Sequence, residues 1–403
     1  MISSKLSHIT KTMKSSMIRE MVASTRGIEG LISFAGGFPS PKTFPSEIMS
    51  KLYAQTLVED GSSVLQYGAS EGDPLFKQEL LKWEGYDLDP SEMLITAGST
   101  NAIYYMTRAL VDPGDVIICE APSFLGSLVA FEASGAELVG IPLDNEGIDL
   151  NKLQEKVEAL QKANRKVKFI YTIPDFHNPA GLTMSLQRRK DLIEYAIAAR
   201  IPILEDNPYS RLRFSGESLP TLFKLARMEY GNNEVVTEVV SFSKILGPGM
   251  RLAFAKGNRV LIERMCSWQQ KVNIAPDNVS QRVAARFLAE GYMEPHIQKC
   301  CDFYRPYLNA MLNAMAKYLP PYIQYVKPEG GIFTWLRLPE DMNADELFEI
   351  AKAHKVTFIP GSKFYPTGQE KFNALRLNFS YSSLEQIEVG LESLGRMMEE
   401  FYT

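Results

Sequence analysis

The chain has 403 residues, of which 45% are apolar and 23% charged, a composition that is typical of folded globular proteins and excludes a largely disordered one. A formal charge of −5 at pH 7 leaves no excess of lysine and arginine to neutralise phosphates, so we expect no nucleic-acid partner. No run of apolar residues reaches the roughly 18 that a membrane-spanning helix needs, and we expect no membrane association.

The cysteines and histidines indicate neither a disulfide-stabilised nor a metal-dependent protein. Cys300 and Cys301 are adjacent, whereas Cys119 and Cys266 lie far from them, a spacing that fits neither a disulfide framework nor a zinc site. The four histidines are too scattered to indicate a metal. Residues 1–14 lack the apolar core of a secretory signal. We therefore expect a cytoplasmic protein with reduced thiols and no bound metal.

Helices and strands alternate from about residue 73. Asp73 and Pro74 are typical of a helix start, and a second helix is predicted to begin at Ser99. Short apolar runs without polar alternation follow, which favours strands buried on both faces of a mostly parallel sheet. These runs are 116–119, 138–143, 167–173, 201–204 and 239–242. Because helical stretches separate them, they predict crossover units and an α/β fold.

The pattern changes after residue 280. A long helix-rich stretch is followed by three predicted strands, at 330–336, 356–359 and 374–379. A chain of this length exceeds one ordinary hydrophobic core. We predict three parts, namely a large domain over 51–280, a small α+β domain over 281–403, and an N-terminal segment over 1–50 that packs with the small domain.

A lysine stands just after the last of the apolar runs. Lys244 is preceded by Ser241 and Ser243 and followed, seven residues later, by Arg251. The two hydroxyls and the guanidinium are groups that bind a phosphate, and a lysine beside them can attack a carbonyl. A loop lysine flanked by serine turn residues explains this segment alone equally well.

Two more polar segments follow predicted strands, where α/β proteins bind their ligands. Asp206 comes directly after the strand 201–204, and its carboxylate can pair with a protonated ring nitrogen, while Tyr209 can hydrogen-bond a phenolic oxygen of the same ring. The alternative is a plain turn, which the sequence Asp-Asn-Pro favours. Asn178, after the strand 167–173, precedes a proline that holds it extended and can aim its amide into the same crevice.

A fourth polar segment opens a predicted helix. The backbone amides and the helix dipole at Ser99 and Thr100 form a ready phosphate site, although Ser99 can also serve simply as a helix cap. Each of the four segments is a weak signal singly. Their order, each at the end of a predicted strand or the start of a helix, indicates one ligand site.

Together these segments resemble the fold-type I, pyridoxal-phosphate (PLP)-dependent class I/II aminotransferases, over nearly the whole chain from Ile32 to Phe379. Within that family the chain most resembles the kynurenine/2-aminoadipate and thermophile aromatic aminotransferases. The shared segments are SFAGGFP at 33–39, LQYG at 65–68, HNPAG at 177–181, SFSK at 241–244 and LRLNF at 375–379.

The resemblance implies a PLP-transferase fold, with a mostly parallel sheet of the seven-stranded type between helices and a smaller α+β domain. It implies PLP as the cofactor. It also implies ping-pong transfer of an amino group from an aromatic, 2-aminoadipate or branched-chain L-amino acid to a 2-oxo acid, with 2-oxoglutarate the expected acceptor.

The resemblance also assigns roles to residues. Lys244 would form the imine with PLP and move the proton, and Asp206 would face the pyridine nitrogen. Arg376 would bind the substrate α-carboxylate, with the backbone of Gly37 closing over the substrate. Tyr67 would reach the phosphate from the partner subunit of a homodimer. The other expected contacts are Asn178 and Tyr209 at the ring hydroxyl, with Asn178 also beside the substrate, and Ser99, Thr100, Ser241, Ser243 and Arg251 at the phosphate.

Three positions depart from the family pattern. Phe124 stands where a tyrosine usually stacks on the cofactor ring, so stacking is kept and the hydroxyl is lost. Thr100 and His177 each replace a common glutamine. We predict that His177 is a loop residue rather than a catalytic base, because Lys244 can transfer the proton itself.

Substrate choice and competing chemistry stay open. Arg19 lies where related enzymes place an N-terminal residue over the substrate side chain, and it can pair with the distal carboxylate of glutamate or 2-aminoadipate; a solvent-facing helix arginine is the alternative. A β-lyase or a decarboxylase on the same scaffold is not excluded. A PLP-binding transcription regulator is disfavoured, since a DNA-binding head needs roughly 60 or more residues ahead of the fold and only about 30 precede Ser33.

Overall fold

The computed structural model describes residues 2–7, 10–11, 28–85 and 87–402. Arg19 lies outside these residues. Within them, no helix combines the length and the apolar character needed to cross a membrane.

The strands fall into one large sheet and two smaller groups. In chain order they are β1 (Ile32–Ser33), β2 (Met93–Thr96), β3 (Val116–Ala121), β4 (Glu137–Asp144), β5 (Gly147–Ile148), β6 (Val167–Thr172), β7 (Ile203–Asn207), β8 (Val236–Ser241), β9 (Ala253–Lys256), β10 (Gln324–Tyr325), β11 (Phe333–Arg337), β12 (Val356–Thr357), β13 (Ile359–Pro360) and β14 (Ala374–Asn378). The large sheet has the order β2-β9-β8-β7-β6-β3-β4-β5. Its five central strands, β8 to β4, are parallel, and the strands at both edges pair antiparallel.

Helices alternate with these strands, as the sequence predicts. They are α1 (Ser46–Val64), α2 (Pro74–Glu84), α3 (Ser99–Leu110), α4 (Leu125–Glu132), α5 (Leu150–Lys162), α6 (Leu186–Ala199), α7 (Leu222–Met228), α8 (Arg259–Val272), α9 (Asn278–Ala289), α10 (Met293–Tyr318), α11 (Ala344–Ala353) and α12 (Leu384–Tyr402). The family's mixed α/β architecture, with a large and mostly parallel central sheet, is therefore confirmed.

Helices cover both faces of the large sheet. Ile103 of α3 and Met265 of α8 belong to the core on one face, and Leu153 of α5 and Leu192 of α6 belong to the core on the other. Strands β2, β7 and β8 are consequently buried along their whole length. Burial on both faces is the physical reason why their sequences lack polar alternation.

Helix starts follow the predicted capping chemistry at one site and depart from it at another. Asp73 caps α2 by accepting a hydrogen bond from the Phe76 amide at 3.0 Å, with Pro74 in the first turn. Such a cap stabilises a helix by about 1 kcal/mol. The start of α3 has no side-chain cap: Gly98 occupies the N-cap position and Ser99 is the first helical residue, so the capping role considered for Ser99 is wrong.

Two strand predictions need correction. The strand predicted at 201–204 is β7, and its pairing with β8 continues through Asp206 and Asn207, so Asp206 lies within the strand and not in a turn after it. The run of apolar residues ends at Leu204, but the backbone pairing with β8 continues to Asn207. The strand predicted at 356–359 is two strands in different groups, because β12 pairs with β1 while β13 pairs with β14.

A second, antiparallel sheet has the order β10-β11-β14-β13. Arg376 lies in the middle of β14, opposite Trp335 of β11 and Ile359 of β13. The parallel pairing of β1 with β12 joins the N-terminal residues to this part of the chain. Helix α9, which spans the boundary predicted near residue 280, contacts α1 and α2. The domain boundaries stay predictions.

Candidate active site

The polar residues noted in the sequence converge where β7 and β8 end and the second sheet approaches. The Lys244 ammonium donates to the carbonyl of Gly37 at 2.7 Å. Arg376 donates from Nη1 to Asn178 Oδ1 at 3.0 Å and from Nη2 to the carbonyl of Ala35 at 2.6 Å. These contacts join residues from the N-terminal loop, the large sheet and the small sheet in one cluster.

Lys244 ends a single 3-10 turn, Phe242–Lys244, directly after β8. Burial, together with the positive charges of Arg376 and Arg251, lowers the pKa of its amine to about 8. About a tenth of the Lys244 side chains are therefore free amine at pH 7, far more than for an ordinary lysine. Such an amine can act as a nucleophile and as a general base.

The shifted pKa makes a testable difference between Lys244 and ordinary lysines. In the cofactor-free protein, modification of Lys244 by an amine-reactive reagent should follow a titration with a midpoint near 8, measured by peptide mass spectrometry against pH. The Arg376→Gln variant should move that midpoint upward, because it removes a neighbouring positive charge. Lys152 is the internal control, since its exposed ion pair with Glu155 raises its pKa. Equal midpoints for Lys244 and Lys152 would contradict the prediction.

Asp206 presents one paired and one unpaired oxygen. Its Oδ2 accepts a hydrogen bond from the Tyr171 hydroxyl at 2.6 Å, whereas its Oδ1 is buried and has no partner among the described residues. Burial raises the pKa of this carboxyl to about 6, and the Tyr171 hydrogen bond opposes that rise. A buried acceptor without a partner is costly, and a protonated pyridine nitrogen is the kind of donor that satisfies it.

The start of α3 forms an anion-binding corner. Gly98 has a φ of 93°, and a Cβ there would lie 2.5 Å from Nη2 of Arg251, so only glycine fits. The Ser241 hydroxyl donates to that of Ser243 at 3.0 Å in the turn before Lys244. Because α3 has no side-chain cap, the backbone amides of its first turn, which Ser99 begins, suit a phosphate, and the Arg251 guanidinium adds a charged donor.

Arg376 is fully buried and held by aromatic rings. Its guanidinium carbon lies 4.1 Å from the ring centroid of Phe333 and 5.1 Å from that of Phe364. Burial lowers its pKa to about 10, so the group keeps its charge at neutral pH. Its Nε is buried without a partner in the described structure. Tyr209, whose pKa burial raises, packs edge-on against Phe333.

Two buried residues beside this cluster were not predicted from the sequence. Glu120, the fifth residue of β3, accepts hydrogen bonds from Thr172 Oγ1 at 2.6 Å and the Ile173 amide at 2.8 Å, and its Oε2 lies 3.0 Å from His177 Nε2. Tyr171 is the other. His177 lies in the loop that carries Asn178, as predicted, but it is buried. A polar residue at the carboxyl end of an apolar strand was the available signal for Glu120, as it was for Asp206.

Three predicted site residues lie apart from this cluster or are exposed. Tyr67, shortly after α1, is 81% exposed, and no side-chain hydrogen bond among the described residues connects it to Lys244 or Asp206. Phe124 is half-buried at the N-cap of α4 and packs against the core of the large sheet. Thr100, the second residue of α3, is exposed.

Comparisons with known proteins identify the family. Residues 35–394 match the model of aminotransferase class I and II. The chain therefore belongs to this family and is a PLP-dependent aminotransferase, as the resemblance indicates. The comparisons support this activity over the lyase, decarboxylase and regulator alternatives.

The relatives extend over nearly the whole chain. An aromatic-amino-acid aminotransferase of Thermococcus litoralis is 38% identical over 96% of this chain and 92% of its own length. A 2-aminoadipate transaminase of Thermus thermophilus is 34% identical over 96% and 94%. The crystal structure of a Pyrococcus horikoshii kynurenine aminotransferase, solved with the pyridoxamine form of the cofactor, has 35% identity, a TM-score of 0.94, and coverage of 99% and 98%.

Proposed function

We propose that the chain transfers the amino group of an aromatic, 2-aminoadipate or branched-chain L-amino acid to 2-oxoglutarate by a ping-pong mechanism. The observation that carries the proposal is the convergence of a lysine with a lowered pKa, a buried arginine and an aspartate, one oxygen of which has no partner in the described part of the chain. The names of the relatives support the amino acid class. PLP, when bound, supplies an electron sink that lowers the energy needed to remove the substrate α-proton.

We assign the proton transfer to Lys244. Its amine, with a pKa of about 8, would take the proton from the substrate α-carbon and deliver it to the cofactor carbon that receives the amino group. In the absence of the cofactor, the contact with the Gly37 carbonyl holds the amine at the site. Asp206 would face the ring nitrogen through Oδ1, and Tyr209 with Asn178 would hold the ring hydroxyl.

Arg376 is proposed to bind the α-carboxylate of both the amino acid and the oxo acid. Its Nε is buried and has no partner among the described residues, and displacement of the contacts with Asn178 and Ala35 would present a planar fork. Pairing keeps the negative charge on the carboxylate, which disfavours loss of carbon dioxide and leaves the α C–H bond as the one that breaks. Ser99, Thr100, Ser241, Ser243 and Arg251 are assigned to the phosphate.

A homodimer with shared sites is part of the proposal. Tyr67 is exposed, and Val58 (85% exposed) and Leu65 (73%) stand near it in the chain, an apolar group that a second copy would cover. Tyr67 is still held in place, because Asn278 donates to the carbonyl of the preceding Gln66 at 2.8 Å. Phe124 would stack on the cofactor ring.

Mixing two inactive variants tests the shared site. Tyr67→Ala and Lys244→Ala should each be inactive at limiting PLP, but their heterodimers regain one intact site, so an equal mixture should recover about a quarter of the wild-type rate. Activity is measured after co-refolding or subunit exchange. If Tyr67 serves its own subunit, every site keeps one defect and no activity returns.

The absorbance spectrum of the PLP-bound protein tests the reaction itself. Glutamate, 2-aminoadipate, leucine and tyrosine are added separately, and a donor that is accepted should convert the bound cofactor to the pyridoxamine form. Addition of 2-oxoglutarate should then restore the original spectrum, as a ping-pong cycle requires. Release of ammonia or of a decarboxylated amine, without this conversion, would contradict transamination and indicate lyase or decarboxylase chemistry.

A cytoplasmic location completes the proposal. Three of the four cysteines, Cys119, Cys300 and Cys301, are buried free thiols, and burial raises the pKa of each. Thiols of this kind are typical of a protein that works in a reducing compartment.

A further inference from the structure

Tyr171 and Ser127 form a buried line of hydroxyls that ends at Asp206. Ser127 of α4 donates to the Tyr171 hydroxyl at 2.8 Å, and Tyr171 of β6 donates to Asp206 Oδ2 at 2.6 Å. All three side chains are buried. The register explains the contact: Tyr171 pairs with Leu204 on β7, and Asp206 is two residues further along the same face.

We propose that Tyr171 is a positioning residue for Asp206, which it holds with Oδ1 toward the ring nitrogen of PLP and keeps from taking the proton of that nitrogen. The inference rests on the assignment of Asp206 to the ring nitrogen in the proposed function. The inference states which Asp206 oxygen faces the ring nitrogen and that the proton stays on that nitrogen.

Orientation is the first part of the inference. A carboxylate can rotate about its terminal torsion, and that torsion is broad in proteins. The short O–H···O bond to Oδ2 removes this freedom, since a charge-assisted bond of this length is among the stronger ones in proteins. Only Oδ1 is then left to meet a donor, and it is the oxygen without a partner in the described chain.

Proton affinity is the second part. Burial makes the Asp206 carboxyl more basic, and the neighbouring charge of Glu120 acts in the same direction, while Tyr171 and His177 oppose it. Tyr209 faces the same carboxyl from beyond β7 and stays a neutral phenol, because burial raises its pKa. A more basic carboxylate competes better for the ring-nitrogen proton. The hydrogen bond from Tyr171 therefore keeps that proton on the nitrogen, where the reaction needs it.

The test measures the ring nitrogen directly. Wild-type protein and the variants Tyr171→Phe, Asp206→Asn and Tyr105→Phe are loaded with PLP that carries an isotopic label on the ring nitrogen, and its chemical shift is recorded by NMR across pH. Tyr171→Phe should move the shift toward that of an unprotonated ring and lower kcat about tenfold, the effect of one charge-assisted hydrogen bond.

Tyr105→Phe is the matched control. Tyr105 is also fully buried, and its hydroxyl donates to Asn273 Oδ1 at 3.0 Å, a contact that the variant loses. Tyr105 lies on α3, however, away from Asp206. Its variant should leave the nitrogen shift unchanged. If Tyr171→Phe does not fold, Ser127→Ala replaces it: the loss of the Ser127 donor weakens the Tyr171 hydroxyl as a donor in turn, and the shift should move in the same direction by less.

The outcomes separate the two proposals. A shift that changes in Asp206→Asn but not in Tyr171→Phe or Ser127→Ala overturns the role of Tyr171 and leaves the proposed function standing. A lower melting temperature in Tyr171→Phe with an unchanged shift and an unchanged pH profile also overturns it, since the role is then only structural. A shift that Asp206→Asn leaves unmoved means that Asp206 does not face the ring nitrogen; this assignment and the role of Tyr171 then both fail, while the absorbance test of amino transfer is unaffected.

Discussion

Replacement of Lys244 by alanine should lower kcat for transamination by about 10⁴ or more, because the protein loses both its nucleophile for the cofactor and its base for the α-proton. The loss should appear in each half-reaction, measured by stopped-flow absorbance with the amino acid and the oxo acid separately. PLP should also leave the variant on dialysis, while the wild-type protein retains it.

Two variants show whether the amine or merely the charge is required. Lys244→Arg keeps the positive charge, but a guanidinium cannot lose its proton in a protein, so we expect a loss as large as that of the alanine variant. Lys168→Ala is the matched control, since Lys168 is also partly buried and contacts Asp115 at 3.3 Å away from the site; its rate should be normal. An active Lys244→Arg variant would rule out Lys244 as the base.

Replacement of Arg376 by lysine should lower kcat/KM for amino acids by about 10² to 10³, because an ammonium cannot form the two parallel hydrogen bonds of a guanidinium fork. Lysine also loses the stacking on Phe333, 4.1 Å from the guanidinium in the native site. Most of the effect should be in KM, since the carboxylate is bound before and during the reaction. Steady-state kinetics with the preferred donor check the prediction.

The control for Arg376 uses both protein and substrate. Arg337→Lys alters an exposed arginine of the same sheet, on β11, and should leave kcat/KM unchanged. An amine analogue of the substrate that lacks the carboxylate should react slowly, and equally slowly, with wild type and Arg376→Lys. An equal fold-loss for the analogue would mean that the variant disturbs the site without loss of a specific carboxylate contact.

Much of the fold was predictable because the burial of a segment is reflected in its local pattern of apolar and polar residues. A strand covered on both faces favours apolar residues, and the apolar stretches 116–119 of β3, 169–171 of β6 and 239–240 of β8 are all buried. Asp73 and Pro74 likewise specify the start of α2 by local hydrogen bonding and backbone geometry. Family, fold, cofactor and activity, all implied by the resemblance, are confirmed.

Errors arose where distant pairing overrides local chemistry. Asp206 and Asn207 favour a turn, yet the neighbouring strand β8 provides backbone partners that keep them extended. The segment 356–359 is continuous in sequence, but its two halves pair with strands from opposite ends of the chain. No local sequence pattern indicates strand partners that are so distant along the chain.

The sequence alone determined the identity of the chemical groups, namely a lysine, an aspartate and an arginine, each carried by a strand or by the turn that follows one. Only the tertiary structure decided the pKa values of these groups and their hydrogen-bond partners. The contact between Tyr171 and Asp206 spans 35 positions, that between Arg376 and Asn178 spans 198, and that between Lys244 and Gly37 spans 207. Burial and neighbouring charge set the pKa of Lys244, and the Tyr171 hydroxyl leaves one Asp206 oxygen without a partner among the residues that the structure describes. Both depend on distances that arise only when remote segments pack.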